Sequence, residues 1–99
     1  MGIIYNIVVY YTKGENWVDG KSVYEQALMD HGNFMADLLE KGLLVISGPL
    51  TDSIGGLLIL NMDSLEEARY LIKKDPGVIN GVFKAEIKQL HVAFKEKTA

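Results

Sequence analysis

The sequence predicts an α+β fold in which four antiparallel strands form one sheet and two helices cover one of its faces. Apolar runs rich in β-branched residues and amphipathic stretches with helix-capping residues follow one another as strand, helix, strand, strand, helix, strand. This order is that of the split βαβ, or ferredoxin-like, arrangement. Right-handed crossovers then give the strand order 4-1-3-2, with both helices on the same face.

The composition of the chain excludes several classes of function. A length of 99 residues is typical of one core, so we expect residues 1–99 to form a single domain. With no membrane-span or leader pattern and no cysteine, we expect a soluble, cytoplasmic protein without thiolate chemistry. The net charge of −3 argues against a nucleic-acid partner. The two histidines have no tight spacing with other His, Asp or Glu residues that suggests a metal site, so we expect no bound metal. We also expect no organic cofactor.

The first strand is predicted over residues 3–11, which are almost all β-branched or aromatic. The polar, glycine-containing segment 12–21 is predicted to be a loop, and it contains Trp17, the single tryptophan of the chain. Two roles are open for Trp17: packing against the domain's own surface or a subunit interface, or contact with a ligand.

The first helix is predicted to begin at Ser22, because Ser22 and Glu25 have the spacing of a capping box. It is predicted to end at Lys41, with Gly42 as its left-handed cap. The apolar stripe of this helix consists of Tyr24, Ala27, Leu28, Phe34, Met35 and Leu38.

His31 lies in the middle of this stripe and is therefore predicted to point towards the core. Its neighbours Asp30, Gly32 and Asn33 are poor helix formers, and a glycine inside a helix costs roughly 1 kcal/mol relative to alanine. Such a conflict beside an inward-facing ionisable side chain is more common at functional sites, unless Gly32 allows close packing or the helix breaks there. His31 is accordingly either a hydrogen-bonded core histidine or a functional group.

The two central strands are predicted at residues 43–46 and 57–60, joined by ten residues rich in glycine. Neither run alternates between apolar and polar residues, and the first strand is also apolar on both sides, so both faces of the sheet need a cover. The helices cover only one face. We expect a second copy of the chain to cover the other, with Ile7, Val45 and Leu58 in the interface, as a homodimeric α+β barrel.

The second helix is predicted to begin after Ser64, which forms a second capping box with Glu67, and to end before Pro76. Asp75, the residue before this proline, is either a turn aspartate bonded to nearby backbone or a functional carboxylate. The last strand is predicted over residues 81–94, because charged and apolar residues alternate at its start.

The topology brings separate segments to one edge of the sheet, where the first two strands end and the last two begin. With strands ~4.8 Å apart, this edge is only about 15 Å wide, so a small organic molecule can reach several of its groups. Glycines there allow a ligand to approach closely, and His31 lies below the edge. The predicted substrate-binding residues are Tyr11, Ser47, Gly48, Pro49 and Gly56, with Asp75 at the same edge.

An ordered set of short motifs along the chain resembles the YciI-like, or YCII-related, family over residues 3–90. The set comprises His31 with Phe34, Met35, Leu38 and Gly42, then Ser47-Gly48-Pro49, Asp52, Gly55-Gly56, the helix start Ser64 to Ala68, Asp75-Pro76-Gly77-Val78, Gly81-Val82-Phe83 and Glu86-Ile87. The sequence differs from the family pattern at Gly77, where an aromatic residue commonly stands, and at residues 91–94. We expect both differences to alter the pocket wall.

The resemblance implies a ferredoxin-like dimeric α+β barrel, a homodimer, and a His-Asp dyad that corresponds to His31 and Asp75, with Ser47 nearby. In such a dyad the carboxylate orients the imidazole and favours its cation, and the other ring nitrogen exchanges a proton with substrate. A relative in the family acts as a dehydrochlorinase on a chlorinated hydroxyhydroquinone, and muconolactone isomerases share the fold. The resemblance therefore implies elimination or isomerisation on a small organic substrate. The alternative is a non-catalytic homodimer that binds a small molecule or a partner, with the same two residues as a buried structural pair.

Overall fold

Four strands and three α-helices make up the part of the chain that the structure, a computed structural model, describes, namely residues 4–96. In chain order these are β1 (Tyr5–Lys13), α1 (Met29–Glu40), β2 (Leu44–Pro49), β3 (Gly56–Leu60), α2 (Leu65–Ile72), α3 (Pro76–Ile79) and β4 (Phe83–His91), with a 3-10 turn at Val23–Glu25. The predicted strand start at Ile3 lies outside the described residues. Within that range, no helix is long and apolar enough to cross a membrane.

All four strands belong to one antiparallel sheet, in the order β2-β3-β1-β4. The predicted α+β class with a four-stranded antiparallel sheet is therefore confirmed. β1 is central, as expected of a strand rich in β-branched and aromatic residues. Its register places Tyr11 opposite Gly56 of β3 and Ala85 of β4, so the end of β1 lies beside the beginnings of both neighbours.

The face of the sheet that the helices cover holds the hydrophobic core. Alternate residues of β1 and β3 are buried in one cluster with residues of α1 and α2. Burying one aliphatic side chain of this size contributes about 1.5–3 kcal/mol, so this layer fixes the helices on the sheet. Its most deeply buried apolar side chains are Ile7, Val9, Leu58 and Leu60 from the strands and Leu38, Ala68 and Ile72 from the helices.

The opposite, open face of the sheet is also apolar near its centre. The prediction that Ile7 and Leu58 lie on this face is wrong, because both are completely buried on the covered face. Because both faces are apolar, the sequence does not show which alternate residues of a strand face the helices. A shift of one residue moves every side chain to the other face. The side chains that the register places on the open face are Val8, Tyr10, Ile46, Leu57 and Ile59, all at least partly exposed.

The first helix begins at Met29, two turns later than predicted. Ser22 and Glu25 do interact, since the Glu25 carboxylate accepts the Ser22 backbone N–H at 3.1 Å, but they cap only a 3-10 turn. The chain is extended at Gln26, whose side-chain amide forms three hydrogen bonds with the backbone of the 18–21 loop. These bonds hold the chain away from helical geometry, so α1 starts only after them.

The late start of α1 removes the conflict around His31. Asp30, Gly32 and Asn33 lie in the first turns of the helix, where an aspartate interacts favourably with the helix dipole. His31 is the third residue of α1 and not a mid-helix residue. At the other end the helix stops at Glu40 and Gly42 has a φ of 75°, which confirms the predicted left-handed cap.

The hairpin connection is shorter than predicted, because β2 continues to Pro49 and only residues 50–55 form the loop. A proline is tolerated there, since β2 is an edge strand. Gly55 has a φ of 122°, and a Cβ at this position would overlap the carbonyl oxygen of Tyr11. The loop therefore packs directly on the end of β1.

The segment between β3 and β4 contains one helix more than predicted. The Ser64 hydroxyl accepts the Glu67 backbone N–H at 3.2 Å, which confirms the cap of α2, and α2 ends before Pro76 as expected. Pro76 itself begins α3, with Asp75 as its N-cap. A helix of four residues has no apolar period that the sequence could reveal. β4 then ends at His91, earlier than predicted.

Candidate functional site

A cavity of about 610 Å³ opens at the edge of the sheet where β1 and β2 end and β3 and β4 begin. Its walls come from this edge, from α1 and from the 3-10 turn that precedes it. The volume lies within the range of about 300–1,000 Å³ that is usual for small-molecule sites.

His31 reaches this cavity from the first turn of α1. Its Nδ1 lies 2.8 Å from Oδ1 and 2.9 Å from Oδ2 of Asp75. We assign the proton to Nδ1, because both carboxylate oxygens are acceptors. The two residues are 44 positions apart in the sequence, so the fold brings them together.

Asp75 has no exposed surface, and both of its oxygens are fully engaged. Oδ1 accepts the Gly77 backbone N–H at 2.9 Å, which makes Asp75 the cap of α3. Oδ2 accepts the hydroxyl of Tyr11 at 2.6 Å. The Asp-Pro-Gly sequence favours this local geometry, because proline fixes the first helical residue and aspartate satisfies an otherwise unpaired N–H. The carboxylate is thus a hydrogen-bonded hub behind His31.

Tyr11 is held as a hydrogen-bond donor to this carboxylate. Burial of the side chain, together with the charge and the hydrogen bond of Asp75, raises the pKa of Tyr11 well above its usual range. The hydroxyl therefore keeps its proton to a higher pH than a free tyrosine does. Tyr11 also contacts His31 edge-on, with ring centroids 5.4 Å apart at 87°.

Phe83 closes the aromatic packing around the dyad. Its ring centroid lies 5.2 Å from that of Tyr11 and 5.6 Å from that of His31. Trp17 packs on Phe83, with ring centroids 5.8 Å apart, and is buried in the core. Trp17 does not line the cavity, so the structure supports the packing role for it.

The second ring nitrogen of His31, Nε2, is not used by the described part of the protein. It has no hydrogen-bond partner among residues 4–96, and no buried side-chain nitrogen or oxygen in that range lacks one. Nε2 is therefore not buried, and the side chain is 18 % exposed. Asp75 holds the imidazole through Nδ1, and Nε2 is available to a ligand.

The structure brings together the residues that the sequence predicts for the site. Ser47, Gly48, Pro49 and Gly56 line the cavity together with His31, as the topology of the edge predicts. Tyr11 lines it with its ring, but its hydroxyl is bonded to Asp75 and does not face a ligand. Asp75 itself does not line the cavity.

Several lining residues are not predicted from the sequence. Because the first helix is predicted to start too early, the sequence does not show that the residues before and at its true start line the cavity. These residues are Val23, Tyr24, Gln26, Leu28 and Met29. Phe83 could have been found, because β4 begins at the same edge and Phe83 is its first residue. The apolar period of α1 places Met35 on the core side but does not show that it borders a cavity.

The two departures from the family pattern do not lie in the cavity wall itself. Neither Gly77 nor residues 91–94 line it, so any effect of theirs on the wall is indirect. Gly77 lies instead behind the dyad, where a Cβ would come within 3.1 Å of His31 Nδ1 and 3.4 Å of Asp75 Oδ1. In the described part of the chain, no group of three or more His, Asp or Glu side chains is arranged to hold a metal ion.

Comparisons with known proteins give a family match and a similar protein. The family model of the YCII-related domain matches residues 4–91. The uncharacterized protein YjpA of Bacillus subtilis (strain 168) is 32 % identical over 65 residues, which cover 66 % of this chain and 76 % of YjpA. The match to the family model spans every strand and helix described above.

Proposed function

The chain belongs to the YCII-related domain family, and on this premise we propose that it is a small enzyme that moves a proton on a small organic substrate. The reaction class is elimination or isomerisation. His31 is the base that contacts substrate, Asp75 orients it, and Ser47 is a hydrogen-bonding group for the substrate. The side chains perform the chemistry without a metal or an organic cofactor.

One observation carries this proposal: the two nitrogens of His31 have different surroundings. Nδ1 is held by a completely buried carboxylate, whereas Nε2 has no partner within residues 4–96, and His31 lines a cavity of about 610 Å³. A fixed imidazole with one free nitrogen is what general base catalysis requires.

The proposed step is a proton transfer to Nε2. The Nε2 lone pair takes a proton from an acidic C–H of the substrate, and the imidazolium is stabilised by Asp75. In an elimination, the electron pair of that C–H bond forms the new double bond and the leaving group departs with its bonding pair. In an isomerisation, the imidazolium returns the proton to a different carbon. Both routes conserve atoms and electrons without a further reactant.

A screen for turnover of small organic compounds, followed by His31→Gln, tests this function. Since general acid–base catalysis contributes about 10²- to 10⁴-fold, the variant is expected to lose at least about 100-fold in kcat/KM. His91→Gln is the matched control, because His91 is exposed at the end of β4 and does not line the cavity.

Asp75→Asn is expected to be less stable than the wild type, because its amide nitrogen would face hydrogen-bond donors that now point at a buried carboxylate. Its activity is therefore compared per folded molecule. If His31→Gln melts far below the wild type and its activity simply follows the folded fraction, the pair is structural. In that case the protein is a binding module.

The open face of the sheet supports a second proposal, that two copies pack face to face as a homodimeric barrel. Apolar side chains of three adjacent strands lie there, and among them Tyr10 is 40 % and Ile46 is 62 % exposed. Soluble monomers rarely expose such a continuous patch. A second copy of the same face is the simplest complement.

A further inference from the structure

The walls of the cavity limit the charge of the molecule that it can hold. No Asp, Glu, Lys or Arg is among its lining residues in the described range 4–96. Asp75 lies behind His31 and does not line the cavity, and its oxygens are bonded to His31 Nδ1. A carboxylate or phosphate entering the cavity would lose water without gaining a counter-charge, which is costly.

Few polar groups in the cavity remain free for a ligand. The Gln26 amide is fully used, with Oε1 accepting from Val18 N–H and Nε2 donating to the carbonyls of Val18 and Lys21. The Tyr11 hydroxyl is used by Asp75. Among the lining side chains of residues 4–96, His31 Nε2, the exposed Ser47 hydroxyl and the Tyr24 hydroxyl at the rim can still bond a ligand.

The remaining walls are apolar and adaptable. Leu28 and Met35 of the α1 side and Phe83 of β4 border the space beside His31, and Met29 and Tyr24 stand at its rim, 83 % and 86 % exposed. Methionine side chains adjust to irregular shapes and pack well on aromatic rings. These walls suit a flat or alkyl body.

We infer that the cavity takes an uncharged organic molecule with an apolar body and one or two polar groups, and that it discriminates against carboxylates and phosphates. This inference rests on the proposed function in naming the substrate class of that same site. An uncharged substrate fits the proposed proton transfer. Removal of its proton creates a negative charge only when the imidazolium of His31 has formed beside it.

A pair of probes with the same shape and different charge tests the inference. 2-Naphthamide is neutral and 2-naphthoate is an anion, and their binding to the wild-type protein is measured by isothermal titration at neutral pH. We expect the amide to bind at least about 10-fold more tightly, a difference of about 1.4 kcal/mol. Equal affinities, tighter binding of the anion, or no binding of the amide at millimolar concentration would overturn the inference.

A charge placed in the cavity should reverse the preference. Ser47→Lys adds a cation at an exposed lining position and is expected to shift the affinity ratio towards 2-naphthoate by at least about 10-fold. Thr51→Lys is the control, because Thr51 is exposed in the adjacent loop and does not line the cavity. An equal shift in both variants would mean that the probes do not bind in this cavity. Since the measurement needs no turnover, a protein without catalytic activity can still pass it, which separates this inference from the proposed function.

Discussion

The Asp75 carboxylate is the group on which the other side chains of the site depend. It accepts hydrogen bonds from His31, Tyr11 and Gly77 while completely removed from solvent. Removing one donor from a buried carboxylate leaves part of its charge unsatisfied, which costs about 1.5–3 kcal/mol. Tyr11 is therefore a positioning residue: it holds Asp75, and Asp75 holds the imidazole.

Tyr11→Phe should lower the free energy of unfolding at neutral pH by about 1.5–3 kcal/mol. The pKa of Tyr11 is raised in the folded state by burial and by Asp75, so below about pH 10 the hydroxyl is protonated in both states and its contribution is complete. Above about pH 10 only the unfolded chain loses the proton, and the wild type loses its advantage by up to about 1.4 kcal/mol per pH unit.

Denaturant titrations of both proteins between about pH 8 and about pH 11 measure this difference. Other groups that titrate in this range cancel, because they are common to the two proteins. A difference that stays constant across the range would mean that Tyr11 is not a buried donor to Asp75.

The pairing of His31 with Asp75 can be predicted from the sequence, but the hydrogen bond from Tyr11 to Asp75 cannot. His31 and Asp75 could be paired because the strand order brings their segments to one edge and because both match the dyad that the family resemblance implies. The bond between Tyr11 and Asp75 depends on which side of β1 faces the helices, and this cannot be read from a strand that is apolar on both sides. For the same reason Ile7 and Leu58 were expected on the wrong face.

At the scale of the elements, α1 and the 3-10 turn before it form one side of the cavity wall. The capping signal of Ser22 and Glu25 is real, but it caps a turn, because the Gln26 side chain ties the chain to the 18–21 loop. No local pattern reports a side chain that bonds to backbone eight positions away. Element type is therefore predictable here, and the start of the helix is not.

The two glycines near the ends of α1 should respond oppositely to alanine. A Cβ at Gly32 or at Gly42 would meet nothing within 4 Å, so space does not distinguish them. Gly32→Ala in the helix should raise the free energy of unfolding by about 0.5–1 kcal/mol. Gly42→Ala should lower it by about 1–2 kcal/mol, because Gly42 has a φ of 75°.

Denaturant unfolding of both glycine variants beside the wild type measures these changes, and each variant is the other's control. If Gly32→Ala is destabilising by as much as Gly42→Ala, then residue 32 does not have helical geometry, and α1 begins later than described.

At the scale of the whole molecule, the open face predicts how the chain assembles. Light scattering of the pure protein at micromolar concentration should give about twice the chain mass. Ile46→Lys places a charge on this face and should reduce the mass to that of one chain. Ile79→Lys is the matched control, since Ile79 on α3 is 65 % exposed, similar to the 62 % of Ile46, and lies on the helical side.

A wild-type protein that scatters as a single chain, or an Ile79→Lys variant that dissociates as readily as Ile46→Lys, would show that the open face is not the interface. Because both isoleucines are already exposed in the single chain, neither change should unfold it. The comparison therefore reports assembly and not stability.

Proton transfer by His31 can be measured without knowing the natural substrate. 2-Tetralone is uncharged and apolar and carries an acidic CH₂ group, and in deuterium oxide the exchange of these protons for deuterium is followed by NMR. The wild-type protein should accelerate the exchange above the buffer rate, His91→Gln should do so equally, and His31→Gln should lose about 100-fold or more of the acceleration. Equal acceleration by the wild type and His31→Gln, or no acceleration by the wild type, would contradict a catalytic His31.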